Sequence, residues 1–487
     1  MKHHAYDLIL SNGKIVDGTG ADRYTADIGV IGDRIVEIGN LGTADATERL
    51  ECAGKIIAPG FIDAHTHDDT ALVLWPDLPA KTTQGVTTVI IGNCGISLAP
   101  SNFPTDPPPP LDLIGDATTY KYRTMAEYLD DIERHPPSVN VAALTGHMSL
   151  RVSVMSELDR PARPHELQEM KKLLKESIDA GSIGLSTGLA YKPSIAADFG
   201  ELVSLLSVVE QTDCLHCTHM RDEADDVIAS INEVCRLGRE ANVPTLISHH
   251  KLLGKTNHGR SVETLALIDK MRRQQPLAID CYPYVASSTV LNHTRASQSS
   301  AVMITWSKSF PDAQGRFLKD IAIELGCSEE EAIDRLNPAG AIFFVLSEED
   351  VSRILAWPES MIGSDGIPQD SFPHPRLWGT FPRVLGHYVR DTGLLSLENA
   401  VQKMTSLPAS VFGLSGRGRI ALGAFADIVV FDPDVVLDLA TYMDPIQPAL
   451  GIEHVYVNGH LVASNGSTTT NRPGTVLRRQ NLGSPMN

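Results

Sequence analysis

Two histidines spaced two residues apart stand at the end of a short apolar stretch. Residues 60–69 read Gly-Phe-Ile-Asp-Ala-His-Thr-His-Asp-Asp, which predicts a buried strand with polar residues at its carboxyl end. His65 and His67 then point to one face, where two neutral imidazoles can bind a divalent metal such as zinc. Asp63 shares their parity and can hold a ligand from behind. Because a lone His-x-His is also common at surface strand ends, the interpretation depends on residues further along the chain.

Four more residues with metal-binding side chains each lie at the carboxyl end of a predicted buried strand. Each also has an ordinary explanation: a small buried thiol, a core histidine, or an aspartate in a turn. Their joint occurrence instead predicts one site with imidazole, thiolate and carboxylate donors, a set that suits zinc. The complete candidate set is His65, His67, Cys94, His219, His249 and Asp365.

The elements that must position these residues alternate between strand and helix from about residue 60 to 415. Roughly eight buried strands, most followed by a helix, predict an α/β fold of the (β/α)8 barrel type. A doubly wound open sheet is the alternative. The barrel is favoured because the candidate residues end many different strands and converge only in a closed ring. Residues from about 285 to 342 break the rhythm and are interpreted as an insertion.

The two ends of the chain have a different pattern. Short alternating strands with turn signals such as Asn12-Gly13 occupy residues 1–59, and similar strands return after about residue 415. We expect residues 1–59 and 416–487 to form one small β-sandwich domain together, with residues 60–415 forming the barrel.

Composition excludes several classes of function. The 487 residues are 42% hydrophobic and carry a formal net charge of −19, which argues against nucleic-acid or anionic-membrane partners. The amino terminus lacks a secretory signal pattern, and no apolar run is long enough to span a bilayer. Seven scattered cysteines predict no disulfide framework, so a cytoplasmic location is expected. Cys214 and Cys217 match C-x-x-C, but on a strand they face opposite sides.

Three features of the sequence carry a resemblance to a known family. The 60–67 motif with the late Ser364-Asp365 resembles the amidohydrolase superfamily of metal-dependent hydrolases. Cys94 on the second strand, and a fourth strand at 182–188 without lysine or glutamate, look like the D-aminoacylases (N-acyl-D-amino-acid deacylases), in particular the branch that acts on N-acyl-D-glutamate. The resemblance covers nearly the whole chain, and the Ser248-His249-His250-Lys251 run is far more specific to this group than His-x-His.

The resemblance implies a division of labour among the candidate residues. Cys94, His219 and His249 would form a tight zinc site, and His65, His67 and Asp365 a second, weaker one, with Cys94 able to bridge. One tight zinc would suffice for activity. The reaction would be hydrolysis of a linear amide, with Asp365 as general base and then general acid.

Cations and a phenol near the strand ends are candidates to bind substrate. In the family, positions like those of Lys251, Tyr282 and Arg376 hold the α-carboxylate, a task for which the planar arginine fork is well suited. Arg295, early in the insertion, would hold a second carboxylate and so select a small anionic N-acyl-D-glutamate. Each residue has the alternative of being a solvated surface group. The alternative substrates are N-acyl derivatives of D-leucine, D-methionine or D-aspartate.

Two other classes of protein share this scaffold. Hydantoinases and dihydroorotases hydrolyse cyclic amides but usually use a carboxylated lysine, which the fourth strand does not offer. Hydantoinase-like scaffold proteins have lost ligands, whereas all six candidates are present here. The handedness of the substrate rests on the resemblance alone, and the acyl group and oligomeric state stay open.

Overall fold

Eight parallel strands form the centre of the molecule in a computed structural model that describes residues 6–103 and 105–479. They are short and rich in β-branched and aliphatic residues, and several are buried on both faces, as expected of strands covered by helices. The strands are β1 (Phe61–Asp63), β2 (Val86–Ile91), β3 (Asn140–Ala143), β4 (Gly184–Gly188), β5 (Leu215–His219), β6 (Thr245–Ile247), β7 (Leu277–Cys281) and β8 (Ser360–Ile362).

Backbone hydrogen bonds join these strands into a ring. β1, β2 and β3 form one parallel run, and β4 to β8 form a second run in chain order. The Ile183 amide donates to Ala143 O at 2.8 Å, which links β3 to β4. The Asp365 amide donates to His65 O at 2.7 Å, just beyond β8 and β1, and links the last strand to the first. The predicted (β/α)8 barrel is confirmed, because an open sheet would leave those two edges apart.

Helices follow the strands and cover the outside of the barrel. α2 begins with a capping box at Thr124, and α3 begins with Pro164 at its first position. The eight covering helices are α1 (Pro79–Thr82), α2 (Met125–Arg134), α3 (Pro164–Asp179), α4 (Phe199–Val209), α5 (Val227–Ala241), α6 (Ser261–Arg272), α7 (Glu348–Ala356) and α8 (Leu397–Met404). Further helical segments are Ala71–Leu74, Asn93–Gly95, Leu111–Leu113, His147–Val154, Lys192–Ile195, Lys255–Asn257, Arg376–Arg383, Val384–Asp391 and Ser406–Val411.

Both ends of the chain contribute to a small β part, as predicted. One sheet contains, in spatial order, Arg34–Gly39, Asp27–Ile31, Tyr6–Ser11 and Ala46–Glu51. The second contains Ser467–Thr468, His460–Ser464, Ile452–Val457, Ile428–Phe431, Ile56–Pro59, Lys14–Ile15 and Tyr24–Thr25. The two chain ends meet where Ile428–Phe431 pairs antiparallel with Ile56–Pro59. Apolar side chains such as Ile28, Ile57 and Ile428 form the shared core.

The insertion between β7 and α7 is a small antiparallel sheet with its own apolar cluster. Its strands are Ala286–Val290, Ala339–Phe344 and Ala301–Ser307 in spatial order, and its helical segments are His293–Gln298, Pro311–Ala313, Leu318–Leu325 and Glu329–Leu336. The strand Ala339–Phe344 is the last of the three in the chain, so the insertion ends slightly beyond the position predicted from sequence, about residue 342. Across the described residues, no helix has the length and apolarity needed to cross a bilayer.

Candidate metal centre and active site

The candidate ligands all lie at the carboxyl ends of barrel strands and are nearly inaccessible to solvent. His65 and His67 follow β1, and Cys94 lies in the turn after β2. His219 ends β5, and the other two follow β6 and β8. The most exposed of the six, Asp365, has only 7% of its surface accessible. The barrel therefore brings together residues that are separated by up to 300 positions in the chain.

Cys94 is at the centre of the cluster. Its Sγ lies 3.3 Å from Nε2 of His65 and 3.2 Å from Nε2 of His249. Asp365 Oδ1 is 3.5 Å from the same nitrogen of His65 and 3.3 Å from Nε2 of His67. One potential ligand atom from each of His65, Cys94, His249 and Asp365 lies within 4.8 Å of the others. This compact group of soft and hard donors can hold a metal ion.

His219 belongs to a second group that overlaps the first at His249. The two imidazole rings have centroids 4.4 Å apart, and His219 Nε2 is 3.5 Å from Oε2 of Glu223. Neither ring nitrogen of His219 has a hydrogen-bond partner within the described ranges. A buried imidazole without a partner is costly, which fits a residue whose nitrogen serves as a ligand.

Three of the candidate ligands have unusual backbone angles. Cys94, His249 and Asp365 have φ values of 55°, 36° and 50°, in the left-handed region that is uncommon for residues other than glycine. Each such residue costs about 1–3 kcal/mol unless the surroundings hold it in place. Backbone contacts do so here: the His249 amide donates to Asp280 Oδ1 at 2.9 Å, and the Gly95 amide donates to Ser186 Oγ at 3.0 Å.

Charge at the site favours the anionic forms of both the thiol and the carboxyl group. Burial raises the pKa of Cys94, but the charges of His65 and His249 more than offset it and hold the pKa well below its ordinary value. Burial likewise raises the pKa of Asp365, and Arg376, whose Nη1 is 2.7 Å away, brings it well below the usual range. Thiolate and carboxylate are the forms in which both groups bind metals.

A buried ionic cluster lies beneath the first and last strands. Lys81 Nζ is 2.7 Å from Asp63 Oδ2 and 2.8 Å from Ser364 Oγ, and all three residues are fully buried. Asp63 Oδ1 accepts the Ser364 amide at 2.8 Å and the His65 amide at 3.3 Å. Asp63 therefore orients the backbone of the ligand-bearing loops, whereas the sequence suggested support for a ligand side chain.

A cavity lies above the ligands, and only two of the predicted substrate-binding residues line it. Lys251 and Arg295 face this cavity, together with Tyr191 and a polar run from Ser287 to Thr289. Ile96, Leu113 and Ile367 supply apolar surface. The lining of the cavity therefore includes cationic, polar and apolar side chains.

Arg376 and Tyr282 lie behind the cavity wall. Arg376 is completely buried, with its guanidinium carbon 4.7 Å from the centre of the Tyr282 ring. Lys251 Nζ is 5.6 Å from the same ring centre. Both cations near this ring are paired, Lys251 with Glu223 at 2.8 Å and Arg376 with Asp365 at 2.7 Å.

Sequence reasoning missed three residues at the site. Tyr191 lines the cavity, and its ring centroid is 4.8 Å from that of His219. Glu223 follows β5 in a loop and carries no recognisable motif. Asp280 had a detectable signal, because it is a charged residue inside the apolar strand Leu277–Cys281. Both carboxylates lie against candidate ligands.

The chain belongs to the amidohydrolase family, whose model matches residues 50–251 and 311–463. The match includes five of the six candidate metal ligands in its first part and Asp365 in its second. The first part ends at Lys251, and the unmatched gap of residues 252–310 contains the beginning of the insertion, whose remainder lies in the second part.

Within this family, the chain is similar to particular named proteins and solved structures. The chain is 48% identical to a D-aminoacylase of Alcaligenes xylosoxydans xylosoxydans, over 97% of this chain and 98% of that protein. It superimposes with a TM-score of 0.95, at 47% identity, on a D-aminoacylase described as having a binuclear metal centre, covering 97% and 100% of the chains. A second structural relative is the N-acyl-D-glutamate deacylase of Bordetella bronchiseptica, solved with zinc and a phosphonate inhibitor. The chain superimposes on it with a TM-score of 0.93 at 45% identity, and the match covers 98% of this chain and 100% of that one.

Proposed function

We propose that this protein is a zinc-dependent N-acyl-D-amino-acid deacylase that prefers N-acyl-D-glutamate. The activity is supported by the similarity to D-aminoacylase and N-acyl-D-glutamate deacylase over nearly the whole chain. The observation that carries the substrate preference is the presence of two cations, Lys251 and Arg295, on the wall of the cavity above the candidate ligands. A substrate with two carboxylates would match them.

The residues present fit a metal ion. Cys94 contributes a thiolate donor between two imidazoles, and His219 has buried nitrogens that lack a partner in the described chain. Thiolate with imidazole is a typical zinc donor set. Cys94, His219 and His249 would hold the tight ion, and His65, His67 and Asp365 a second ion with Cys94 as bridge.

Asp365 would move the proton in the reaction. A bound divalent ion supplies Lewis acidity toward the attacking water and the scissile carbonyl. The Asp365 carboxylate would accept the proton of that water and pass it to the nitrogen of the leaving amine. Arg376 pairs with Oδ2 of Asp365, whereas Oδ1 of Asp365 faces His67 and the other candidate ligands.

The substrate would be oriented by its charges. We place the α-carboxylate against Lys251, with Tyr282 and Arg376 behind it, and the side-chain carboxylate against Arg295. Charge-assisted hydrogen bonds of this kind are about twice as strong as neutral ones. The acyl group would then lie against the apolar surface of Ile96, Leu113 and Ile367.

The test is hydrolysis of a matched substrate panel by zinc-replete enzyme. N-acetyl-D-glutamate is compared with its L-enantiomer, with the N-acetyl derivatives of D-aspartate and D-leucine, and with the cyclic amide dihydrouracil. The proposal expects the highest kcat/KM for N-acetyl-D-glutamate and none for the L-enantiomer. A preference for D-leucine would overturn the role of Arg295 and keep the mechanism. Turnover of dihydrouracil alone would overturn the linear-amide activity.

A further inference from the structure

Two of the candidate ligand histidines have a carboxylate behind the ring. His249 directs Nε2 toward Cys94 Sγ, 3.2 Å away, and Nδ1 toward Glu223 Oε1, 3.1 Å away. His65 directs Nε2 toward Cys94 and Asp365, and its Nδ1 faces Asp280 Oδ2 at 3.5 Å. Both carboxylates are buried: Glu223 is 2% exposed and Asp280 is inaccessible.

The group that faces the second ring nitrogen matters, because a neutral imidazole carries a hydrogen on only one of its two nitrogens. A histidine that offers Nε2 to a metal must carry its hydrogen on Nδ1. A carboxylate that accepts this hydrogen selects the tautomer, fixes the ring plane and raises the basicity of the ligating nitrogen. His249 Nδ1 also has Lys251 Nζ at 2.6 Å, and because an ammonium group can only donate, Lys251 and Glu223 favour opposite tautomers of this ring. When Nε2 binds a metal the hydrogen lies on Nδ1, and of these two neighbours only Glu223 can accept it.

The two carboxylates serve histidines assigned to different metal positions. His249 belongs to the tight position in the proposed function, and His65 belongs to the weaker one. The other oxygen of Asp280 accepts the His249 amide at 2.9 Å, so its Oδ2 is the oxygen directed at His65. Among the described residues, neither His65 Nδ1 nor His67 Nδ1 makes a hydrogen bond, but His65 Nδ1 has the Asp280 carboxylate 3.5 Å away.

We propose that Glu223 and Asp280 are positioning residues that separately set the affinity of the tight and the weak metal position, through His249 and His65. The inference rests on the proposed metal-dependent function and names the part of the chain that controls each position. It predicts that removing one carboxylate changes one step of metal binding and leaves the other nearly unchanged.

The experiment is a competition titration of the full chain with Zn²⁺ against a chromophoric chelator, for wild type, Glu223→Gln and Asp280→Asn. Loss of an oriented carboxylate typically lowers metal affinity about 10–100-fold. We expect that loss in the first equivalent for Glu223→Gln and in the second for Asp280→Asn. Spectra of the Co²⁺-loaded proteins give a second readout, in which Glu223→Gln alters the thiolate-to-cobalt absorption of the first equivalent.

Matched variants separate this role from a merely structural one. Glu201→Gln removes the carboxylate 2.9 Å from His147 Nε2, a buried pair that contains no candidate ligand, and should leave both affinities unchanged. Lys251→Met removes the other neighbour of His249 Nδ1 and should keep the tight affinity. If Glu223→Gln does not fold, Glu223→Asp retains the charge, withdraws it by one methylene and should weaken the first equivalent less severely.

Several results would overturn the inference. One is that Glu223→Gln and Asp280→Asn both bind Zn²⁺ with wild-type affinity. Another is that both variants weaken the same Zn²⁺ equivalent. A third is that Glu201→Gln or Lys251→Met weakens Zn²⁺ binding as much as the two positioning variants do. A wild type that binds a single equivalent would remove the role of Asp280. Failure of the proposed function is distinguishable, because it would appear as wild-type protein that binds zinc but hydrolyses none of the substrate panel.

Discussion

Asp365 illustrates how much depends on the neighbours of a single side chain. Its Oδ1 faces His67 at 3.3 Å, and its Oδ2 pairs with the buried Arg376 at 2.7 Å. Burial alone would favour the protonated acid, whereas the arginine maintains the ionised form. The carboxylate is therefore both held in position and able to accept a proton.

Asp365→Asn should abolish most activity while retaining tightly bound metal. The amide has nearly the same shape but cannot accept a proton, and general acid–base catalysis typically contributes about 10²–10⁴-fold in rate. We expect kcat to fall by about that factor. Metal analysis should still find the tight equivalent, since Cys94, His219 and His249 are unchanged. Loss of activity together with the tight metal would contradict the proton-transfer role.

Arg295→Met should change specificity more than catalysis. A hydrogen bond to a charged group contributes about 1.5–3 kcal/mol, so kcat/KM for N-acetyl-D-glutamate should fall about 10–150-fold. Hydrolysis of N-acetyl-D-leucine should stay the same or improve, because that substrate has no second carboxylate. Steady-state kinetics with both substrates provides the measurement. Equal losses for both substrates would show that Arg295 does not read the side chain.

At the scale of elements, the loop that follows β8 and carries Asp365 packs against the insertion. The Phe372 amide donates to Thr305 O at 3.1 Å, which attaches this loop to the insertion strand Ala301–Ser307. Asp370 lies in the same loop and is only 6% exposed. Burial raises its pKa from 3.8 to about 7, although Thr305 and Arg376 lower it in part. The contact between the insertion and the barrel therefore contains a carboxyl group that is destabilising when ionised.

Replacement of Asp370 should reveal this group as a pH-dependent difference in stability. The unfolded chain releases the proton near pH 3.8 and the folded chain near pH 7, so the folded state binds more protons between those values. Wild-type stability relative to Asp370→Asn should therefore fall, by up to about 1.4 kcal/mol per pH unit, as the pH rises across that window. Urea unfolding of both proteins from about pH 4 to about pH 8 measures it. A constant difference would refute the raised pKa.

At the scale of the whole molecule, one short strand connects the chain ends. Ile428–Phe431 pairs with Ile56–Pro59 on one side and Ile452–Val457 on the other. The strand Ile56–Pro59 leads directly into β1 and the histidine motif. Through this junction, the stability of the small β part is coupled to the strand that carries His65 and His67. We propose that the parts have the boundaries expected from sequence, at residues 59–60 and 415–416.

Ile428→Ala should destabilise the barrel as well as the small β part. Ile428 is completely buried, and truncation of such a residue typically costs about 2–5 kcal/mol. The four tryptophans, at positions 75, 306, 357 and 378, all lie outside the terminal segments, so their fluorescence reports the barrel and insertion. The midpoint of urea unfolding should shift equally by fluorescence and by circular dichroism. Ile446→Ala, at a residue 51% exposed, is the control and should shift neither. A shift by circular dichroism alone would show independent unfolding.

Local pattern in the sequence was enough for the barrel and for the types of residue at its mouth. Short, nearly continuous apolar runs, each followed by a helical run, predict parallel strands covered by helices, and the end of a strand can be recognised from a few neighbouring residues. For that reason His65, His67, Cys94, His219, His249 and Asp365 could be proposed from sequence. The split β part could be proposed on the same basis, since hairpin signals are local as well.

Only the tertiary structure decided what lies against each of those residues. Glu223 and Asp280 lie against His249 and His65, which belong to other strands, and Arg376 pairs with Asp365 across the segment that follows β8. The left-handed backbone at Cys94, His249 and Asp365 was equally unpredictable. The physical reason is that local sequence determines the period and end of an element, whereas the distance between two side chains depends on how the ring closes and how the loops pack.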